Sequence, residues 1–134
     1  MIGTKIESDG SVRILLPLAP YTKKNHQEIH WRGTGGNKRP FVVPSKQYRA
    51  YANDCAMFLK DLGIDRPVNV CAHYYMPTRR IVDLNNLHSA LMDILVENGL
   101  LKDDNSRIVA STDGSRVFYD KENPRTEVLI TYLE

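Results

Sequence analysis

A strand pattern followed directly by a helix pattern, between residues 67 and 99, constrains the fold of this chain most strongly. Residues 67–76 (PVNVCAHYYM) alternate in a way that places one set of side chains on one face of a strand: Val68, Val70, Ala72 and Tyr74. After Asp83, apolar residues recur with the helical period until Gly99, a typical C-terminal cap: Leu84, Leu87, Leu91, Ile94 and Leu95. A strand and a helix that each have one apolar side predict a helix packed on a sheet.

The N-terminal half predicts a strand, a hairpin and a helix. Residues 11–18 form a strand pattern that prolines interrupt. Residues 21–45 are a polar, basic hairpin or loop region, with predicted arms at Gln27–Arg32 and 39–43 and a glycine-rich tip at 33–37. Ser45 is a favourable N-cap for a helix whose apolar period continues to Gly63.

The C-terminal third predicts further strands. Residues 107–119 alternate, and Asp113-Gly114 in their middle favours a tight hairpin, with one long bent strand as the alternative. Residues 126–133 form the last strand pattern. Strands outnumber helices, so the predicted fold class is α+β: a mixed β-sheet with two main helices in a single domain, residues 1–134.

Charge is unevenly distributed along the chain. Residues 1–50 carry a balance of +6 and residues 51–134 a balance of −4. This suits a polyanion-binding surface beside a cation-binding centre, although solvated surface charge gives the same numbers. Two cysteines do not make a disulfide framework, and no apolar signal segment or membrane-length window is present. We therefore expect a cytoplasmic protein that does not bind a membrane.

Two acidic sites flank the second predicted helix. Asp83 immediately precedes its apolar run, in the sequence Asp83-Leu84-Asn85-Asn86-Leu87, and Asp103-Asp104 precedes the next apolar run. Two such edges can converge in a fold and present several carboxylates to a hard cation such as Mg²⁺, as in many phosphodiester-cleaving sites. The alternatives are that Asp83 is only a helix N-cap and Asp103-Asp104 only a solvated turn.

These motifs resemble those of the RusA-type Holliday junction resolvases, the crossover junction endodeoxyribonucleases. The similarity extends from about Arg13 to Leu133 and includes Leu16-Pro17-Leu18-Ala19-Pro20, Asn25 and the Ser45…Tyr48 helix start. The resemblance implies a small homodimeric α+β nuclease that uses Mg²⁺, with Mn²⁺ as a possible substitute. Its implied substrate is branched DNA, a four-way junction that it resolves by paired nicks during recombination and repair.

The chain departs from the family pattern at two positions. The family reads Asp-Leu-Asp-Asn-Leu where this chain has Asn85, and a lysine usually stands at the position of Ser89. Asn85 still offers a carbonyl oxygen to a cation but removes one negative charge. The missing lysine removes a cation that can neutralise charge on a phosphate, for which Arg79, Arg80 and Lys102 are candidate replacements.

From the resemblance and the ligand chemistry, we assign Asp83 and Asp104 as metal ligands, Asp103 as a ligand or water-orienting base, and Asn85 as a neutral ligand. DNA-phosphate contacts are predicted at basic residues in loops: Lys23, Lys24, Arg32, Lys38, Arg39, Arg79 and Arg80. Trp31 and Phe41 either stack on bases at an open junction or pack the hairpin onto the domain.

Other functions remain as alternatives. A structure-selective DNA-binding protein that has reduced or lost nuclease activity is consistent with Asn85 and Ser89, and a phosphoesterase acting on another nucleic acid is consistent with the acidic residues. Spacings of histidine and cysteine also allow a structural zinc site on paper, through His26 and His30 or Cys71 and His73, but paired zinc ligands usually follow tighter patterns.

Overall fold

Eight strands and two helices make up the computed structural model, which describes residues 1–23 and 27–133. In chain order they are β1 (Gly3–Ile6), β2 (Val12–Leu16), β3 (Gln27–Arg32), β4 (Arg39–Pro44), α1 (Lys46–Ala56), β5 (Val68–Met76), α2 (Leu84–Glu97), β6 (Val109–Ser111), β7 (Arg116–Tyr119) and β8 (Arg125–Tyr132). Six strands form a mixed sheet in the order β1-β2-β8-β5-β6, with β7 also paired to β5. The α+β class, the mixed sheet and the two helices are confirmed.

The core lies between one face of this sheet and the two helices. The alternate β5 residues predicted to share a face are all buried: Val68, Val70, Ala72 and Tyr74. They belong to the same core cluster as the apolar stripe of α2, in which Leu87, Leu91, Ile94 and Leu95 are at most 2% exposed. Burial of these two surfaces against each other contributes hydrophobic stabilisation to this unit.

The unit β5–α2–β6 is a parallel crossover. Both β6 and β7 run parallel to β5, so α2 must return the chain from the C-terminal end of β5 to its N-terminal end. Asp83 therefore lies beyond the end of β5, at the start of α2. The segment after α2 lies beside the start of β5, where Ile64 and Leu101 form a parallel bridge.

The predicted N-terminal hairpin is confirmed as a separate two-stranded sheet. Antiparallel strands β3 and β4 pair from Gln27 opposite Pro44 to Arg32 opposite Arg39, and a short 3₁₀ turn lies at the tip. The expectations for Lys24, Asn25 and His26, which precede the hairpin in the sequence, lie outside the described residues.

The predicted tight hairpin in residues 107–119 is wrong. Strands β6 and β7 do not pair with each other; both pair with β5 in parallel, as an interrupted edge strand. Asn69 of β5 explains the interruption, because its Oδ1 accepts hydrogen bonds from Asp113 N at 2.7 Å and Ser111 Oγ at 2.6 Å. Asp113-Gly114 therefore forms a local bulge that Asn69 stabilises, and the bent-strand alternative describes the structure better.

Two smaller expectations also differ. Helix α1 ends at Ala56 rather than near Gly63, because the next turn tightens: the amides of Met57, Phe58 and Leu59 bond three residues back. Thr4 Oγ1 then donates to the carbonyl oxygen of Phe58 at 2.7 Å and joins this turn to β1. Strand β1 was not predicted, since its four residues carry no apolar alternation.

Candidate active site

Asp83 lies at the N-terminus of α2 and caps it. Its Oδ1 accepts a hydrogen bond from Asn85 N at 2.8 Å, and its side chain is exposed. A carboxylate at this position is favoured by the positive end of the helix dipole. The second oxygen, Oδ2, accepts no bond from any described residue, so Asp83 caps the helix with one oxygen only.

Asp103 and Asp104 lie in the loop between α2 and β6. Buried Leu100 and Leu101 attach this loop to the core, and Lys102 N donates to Ile64 O at 2.9 Å. Asp103 accepts bonds from Asp104 N at 2.7 Å and from Asn105 Nδ2 at 3.0 Å. Its carboxylate is thereby oriented, whereas the exposed Asp104 carboxylate has no partner among the described residues.

The two acidic sites do not meet within one chain. They lie at opposite ends of α2, whose 14 residues span about 20 Å. Among residues 1–23 and 27–133, no three His, Cys, Asp or Glu side chains are grouped to hold a metal ion. The expectation that the two edges converge is therefore not met inside the protomer, because the parallel crossover separates the start of α2 from its end.

The donor chemistry nevertheless fits a hard cation. Asp83, Asn85, Asp103 and Asp104 offer carboxylate and amide oxygens, all on exposed side chains that water and an ion can reach. Asn85 and Ser89, where the family pattern has an acid and a lysine, lie one turn apart on the exposed side of α2. Asp103 and Asp104 are therefore available to a ligand that approaches from outside this chain.

The basic residues that are candidates for phosphate binding differ in the contacts they already make within the chain. Lys102 pairs with Asp65 at 3.1 Å, and the Arg79 guanidinium lies 4.1 Å from the Tyr119 ring centroid. Lys23 forms an ion pair with Asp93 of α2, which holds it against the domain. Arg80 is exposed and its guanidinium contacts no described acid, so it is the candidate most available to a phosphate.

The hairpin has two chemically different faces. In the antiparallel register, Ile29 lies opposite Val42 and Trp31 opposite Pro40, which places these four residues on one face. Ile29, Trp31 and Val42 are 67%, 64% and 59% exposed. Arg32 and Arg39 lie opposite each other on the other face, where the Arg32 guanidinium sits 4.4 Å from the Phe41 ring centroid.

The structure excludes packing onto the domain for Trp31 and places Phe41 in contacts within the hairpin. Trp31 does not pack onto the domain, since most of its side chain is exposed, whereas Phe41 packs within the hairpin against Arg32 and edge-on against His30. Lys38 is exposed near the tip and adds a third positive charge to this end of the hairpin. The hairpin therefore offers an apolar face and a basic face on opposite sides.

A cleft of about 490 Å³ opens beside Asp83. Its walls come from the segment after β2, the end of β5 and the link into α2, including Pro20, Tyr21, Thr22, Met76, Arg80 and Val82. Sequence reasoning did not identify Tyr21 or Thr22, because neither belongs to a motif. The one feature of the sequence that could have indicated them is their position directly after the proline-rich strand end, which resembles that of the family.

Histidines and cysteines do not form a zinc site in the described part of the chain. Cys71 Sγ and His73 Nε2 lie 3.6 Å apart, but His73 Nε2 is also 2.9 Å from Gly114 O, and no further ligand adjoins them. His88 instead pairs with the buried Tyr74 hydroxyl through Nδ1 at 2.7 Å, and burial lowers the pKa of His88. These residues support the core and sheet rather than a metal.

Comparison with known proteins agrees with this geometry. Residues 17–131 match the model of the family described as endodeoxyribonuclease RusA. The chain belongs to the RusA endodeoxyribonuclease family. It is 36% identical over 95 residues to the crossover junction endodeoxyribonuclease RusA of Escherichia coli K12, an alignment covering 68% of this chain and 72% of the relative. The same figures hold for the relatives from E. coli strains CFT073 and UTI89.

Membership of the RusA family confirms the resemblance drawn from the acidic motifs and places the chain among nucleases. The matched region begins at the proline-rich end of β2 and runs almost to the end of β8, so it includes the cleft, both acidic sites and the hairpin. Within residues 1–23 and 27–133, no helix is long and apolar enough to cross a membrane.

Proposed function

We propose that this RusA-family protein is a Mg²⁺-dependent endodeoxyribonuclease that resolves four-way DNA junctions by paired nicks. The observation that carries this proposal is the family match over residues 17–131, together with exposed carboxylates at Asp83, Asp103 and Asp104. The basic side chains near the hairpin tip supply contacts for the DNA backbone.

The separation of the acidic sites supports a homodimer whose active sites are shared. A two-fold axis perpendicular to α2 brings the start of α2 in one protomer beside the end of α2 in the other. Asp83 then lies near Asp104 of the partner subunit, and symmetry generates the same pair twice. Two such sites match the two nicks that a symmetric junction needs, and a monomer has neither.

Each of the proposed site residues then has its own role in phosphodiester hydrolysis. Bound Mg²⁺ supplies an activated water and neutralises charge on the phosphate. Asp83 and Asp104 of the partner subunit would hold the cation, while Asp103, oriented by its bonds to Asp104 N and Asn105 Nδ2, would accept a proton from the attacking water. Asn85, in the first turn of α2, would be a neutral oxygen ligand.

The proposal is tested with a labelled four-way junction incubated with Mg²⁺, Mn²⁺ or EDTA, beside flap, fork and duplex substrates of the same sequence. We expect symmetric nicks in the junction with either metal ion and none with EDTA. Binding of the junction without nicks in any metal would show a structure-selective binding protein instead. Equal cutting of flap or duplex would identify a less selective phosphoesterase.

Asn85→Asp should lower the Mg²⁺ concentration needed for half-maximal nicking, by about tenfold. The added carboxylate restores a negative charge that attracts the cation, and ligand-shell changes commonly alter metal affinity by about 10- to 100-fold. The measurement is nicking rate against Mg²⁺ concentration. Asn53→Asp, on the exposed side of α1, adds the same charge away from both ends of α2 and serves as the matched control. An unchanged or higher Mg²⁺ requirement in Asn85→Asp would remove Asn85 from the metal site.

The dimer contact is proposed at the apolar face of the hairpin, formed by Ile29, Trp31, Pro40 and Val42. The apolar side of α2 is buried in the core, so it is not available as a dimer contact. Strand β8 is central in the sheet, so it offers no free edge. The hairpin face carries no charge and is exposed, whereas the arginines occupy the opposite face. An uncharged face fits a second apolar face better than it fits DNA.

A further inference from the structure

We propose that the cleft beside Asp83 receives one unpaired nucleotide flanking the scissile phosphate and thereby selects where the junction is cut. The cleft volume, about 490 Å³, lies in the range of small-ligand sites, which is about 300–1,000 Å³. Arg80 and Val82 in its wall immediately precede Asp83 in the chain. A nucleotide in the cleft is therefore adjacent to the phosphate that Asp83 serves. This inference rests on the proposed function.

Thr22 carries the first observation that points to a ligand. Its side chain is 3% exposed, and Oγ1 has no hydrogen-bond partner among the described residues. Leaving a buried hydroxyl unpaired costs stability, so such groups in native proteins call for an explanation. Because Thr22 forms part of the cleft wall, the edge of a nucleobase entering the cleft is a suitable partner for this hydroxyl.

Tyr21 and Arg80 supply the other two contacts that a nucleotide needs. The Tyr21 ring packs against the buried Tyr51 ring, with centroids 5.8 Å apart and planes tilted by 52°, so its orientation is set by the core. A fixed aromatic ring is a stacking platform for an unpaired base. Arg80 is exposed at the cleft, where its guanidinium can bind the phosphate of the same nucleotide through paired hydrogen bonds.

The three contacts differ in what they read. Stacking on Tyr21 and the charge of Arg80 accept any base, because every base has a flat face and every nucleotide a phosphate. Thr22 Oγ1 is the contact that depends on the donors and acceptors at the base edge. Thr22 is thus the specificity-determining residue of this cleft, and its removal should change where the enzyme cuts more than how tightly it binds.

The first test maps cut positions on a junction whose branch point migrates through many sequences. Thr22→Val keeps the shape and removes the hydroxyl, so we expect the ratio between preferred and average sites to fall about 5- to 10-fold, the value of one desolvated hydrogen bond. Thr126→Val, which removes a buried hydroxyl in β8 that does not line the cleft, should keep the wild-type distribution. An unchanged distribution in Thr22→Val overturns the proposal.

The second test does not need cleavage. A junction with 5-iodouracil at an unpaired position next to the branch point is bound in EDTA, irradiated, and the crosslinked peptide is identified by mass spectrometry. We expect the crosslink at Tyr21, and crosslinks confined to other segments overturn the proposal. A Tyr21 crosslink in a protein that makes no nicks would support the cleft and refute the nuclease function, so the two failures are distinguishable.

Discussion

Mixing Asp83→Asn protein with Asp104→Asn protein should restore nicking that neither variant has alone. Each variant by itself loses a metal ligand from both shared sites of the dimer, so we expect its nicking rate to fall about a thousandfold. In a mixed dimer, one site receives both substitutions and the other keeps native Asp83 and native Asp104. That intact site makes single nicks.

The size of the recovery follows from random subunit exchange. Half of the dimers in an equal mixture are mixed, and each of these has one intact site of two, so recovery should approach about a quarter of wild-type sites. The measurement is nicking of a labelled junction after the variants are exchanged at micromolar concentration. If the mixture remains as inactive as its parts, each active site is built within one protomer and the shared-site arrangement is wrong.

The single substitutions also have a built-in structural control. Asparagine is as good an N-cap as aspartate, so Asp83→Asn should keep the start of α2 and the melting temperature. Asp65→Asn removes an exposed carboxylate that pairs with Lys102, on the same side of the domain as Asp104. That control variant should nick junctions at the wild-type rate. Reduced activity there would mean that charge loss in this region acts through something other than metal binding.

Making the apolar face of the hairpin polar should convert the dimer to a monomer and abolish nicking. The variant is Ile29→Thr, Trp31→Thr and Val42→Thr combined, because threonine keeps the strand preference while it removes most of the apolar surface. Sedimentation should report the 15.3 kDa chain mass rather than twice that value. Nicking should be lost with the dimer because each active site of the proposed arrangement needs both protomers.

The opposite face of the same hairpin is the matched control. Arg32→Gln with Arg39→Gln should leave the dimer intact but weaken junction binding and reduce the slope of affinity against salt by about two, one for each lost phosphate contact. The two variants therefore separate assembly from DNA contact. If the triple threonine variant stays dimeric, the dimer interface does not lie on the apolar face of the hairpin. If the salt dependence of DNA binding is unchanged in the arginine variant, Arg32 and Arg39 do not contact the DNA backbone.

The strand at residues 68–76 and the two helix starts were predictable because local chemistry decides them. Alternation of Val68, Val70, Ala72 and Tyr74 leaves one way to bury a strand, and Ser45 and Asp83 are caps whose side chains bond backbone amides two or three residues on. The hairpin at β3 and β4 was equally local, since its glycine-rich tip favours a reversal between two extended arms.

At Asp113-Gly114, a distant residue overrides the local preference for a hairpin. The dipeptide favours a hairpin by itself, but Asn69, 44 residues earlier, bonds Asp113 and holds the chain as a bulged edge strand beside β5. Similarly, Thr22 and Tyr21 acquire their significance only because β2, β5 and the link to α2 surround a cleft. No pattern within their own segments indicates these contacts.

The sequence by itself determined the kind of chemistry, and the tertiary structure decided where it takes place. Asp83, Asp103 and Asp104 are oxygen donors whatever the fold, because ligand preference belongs to the side chain. Whether they share an ion depends on the path of the backbone. The parallel crossover puts about 20 Å of helix between them, since β6 and β7 must return to the start of β5. That separation, which no spacing in the sequence reveals, is the physical reason why we propose an active site between two chains.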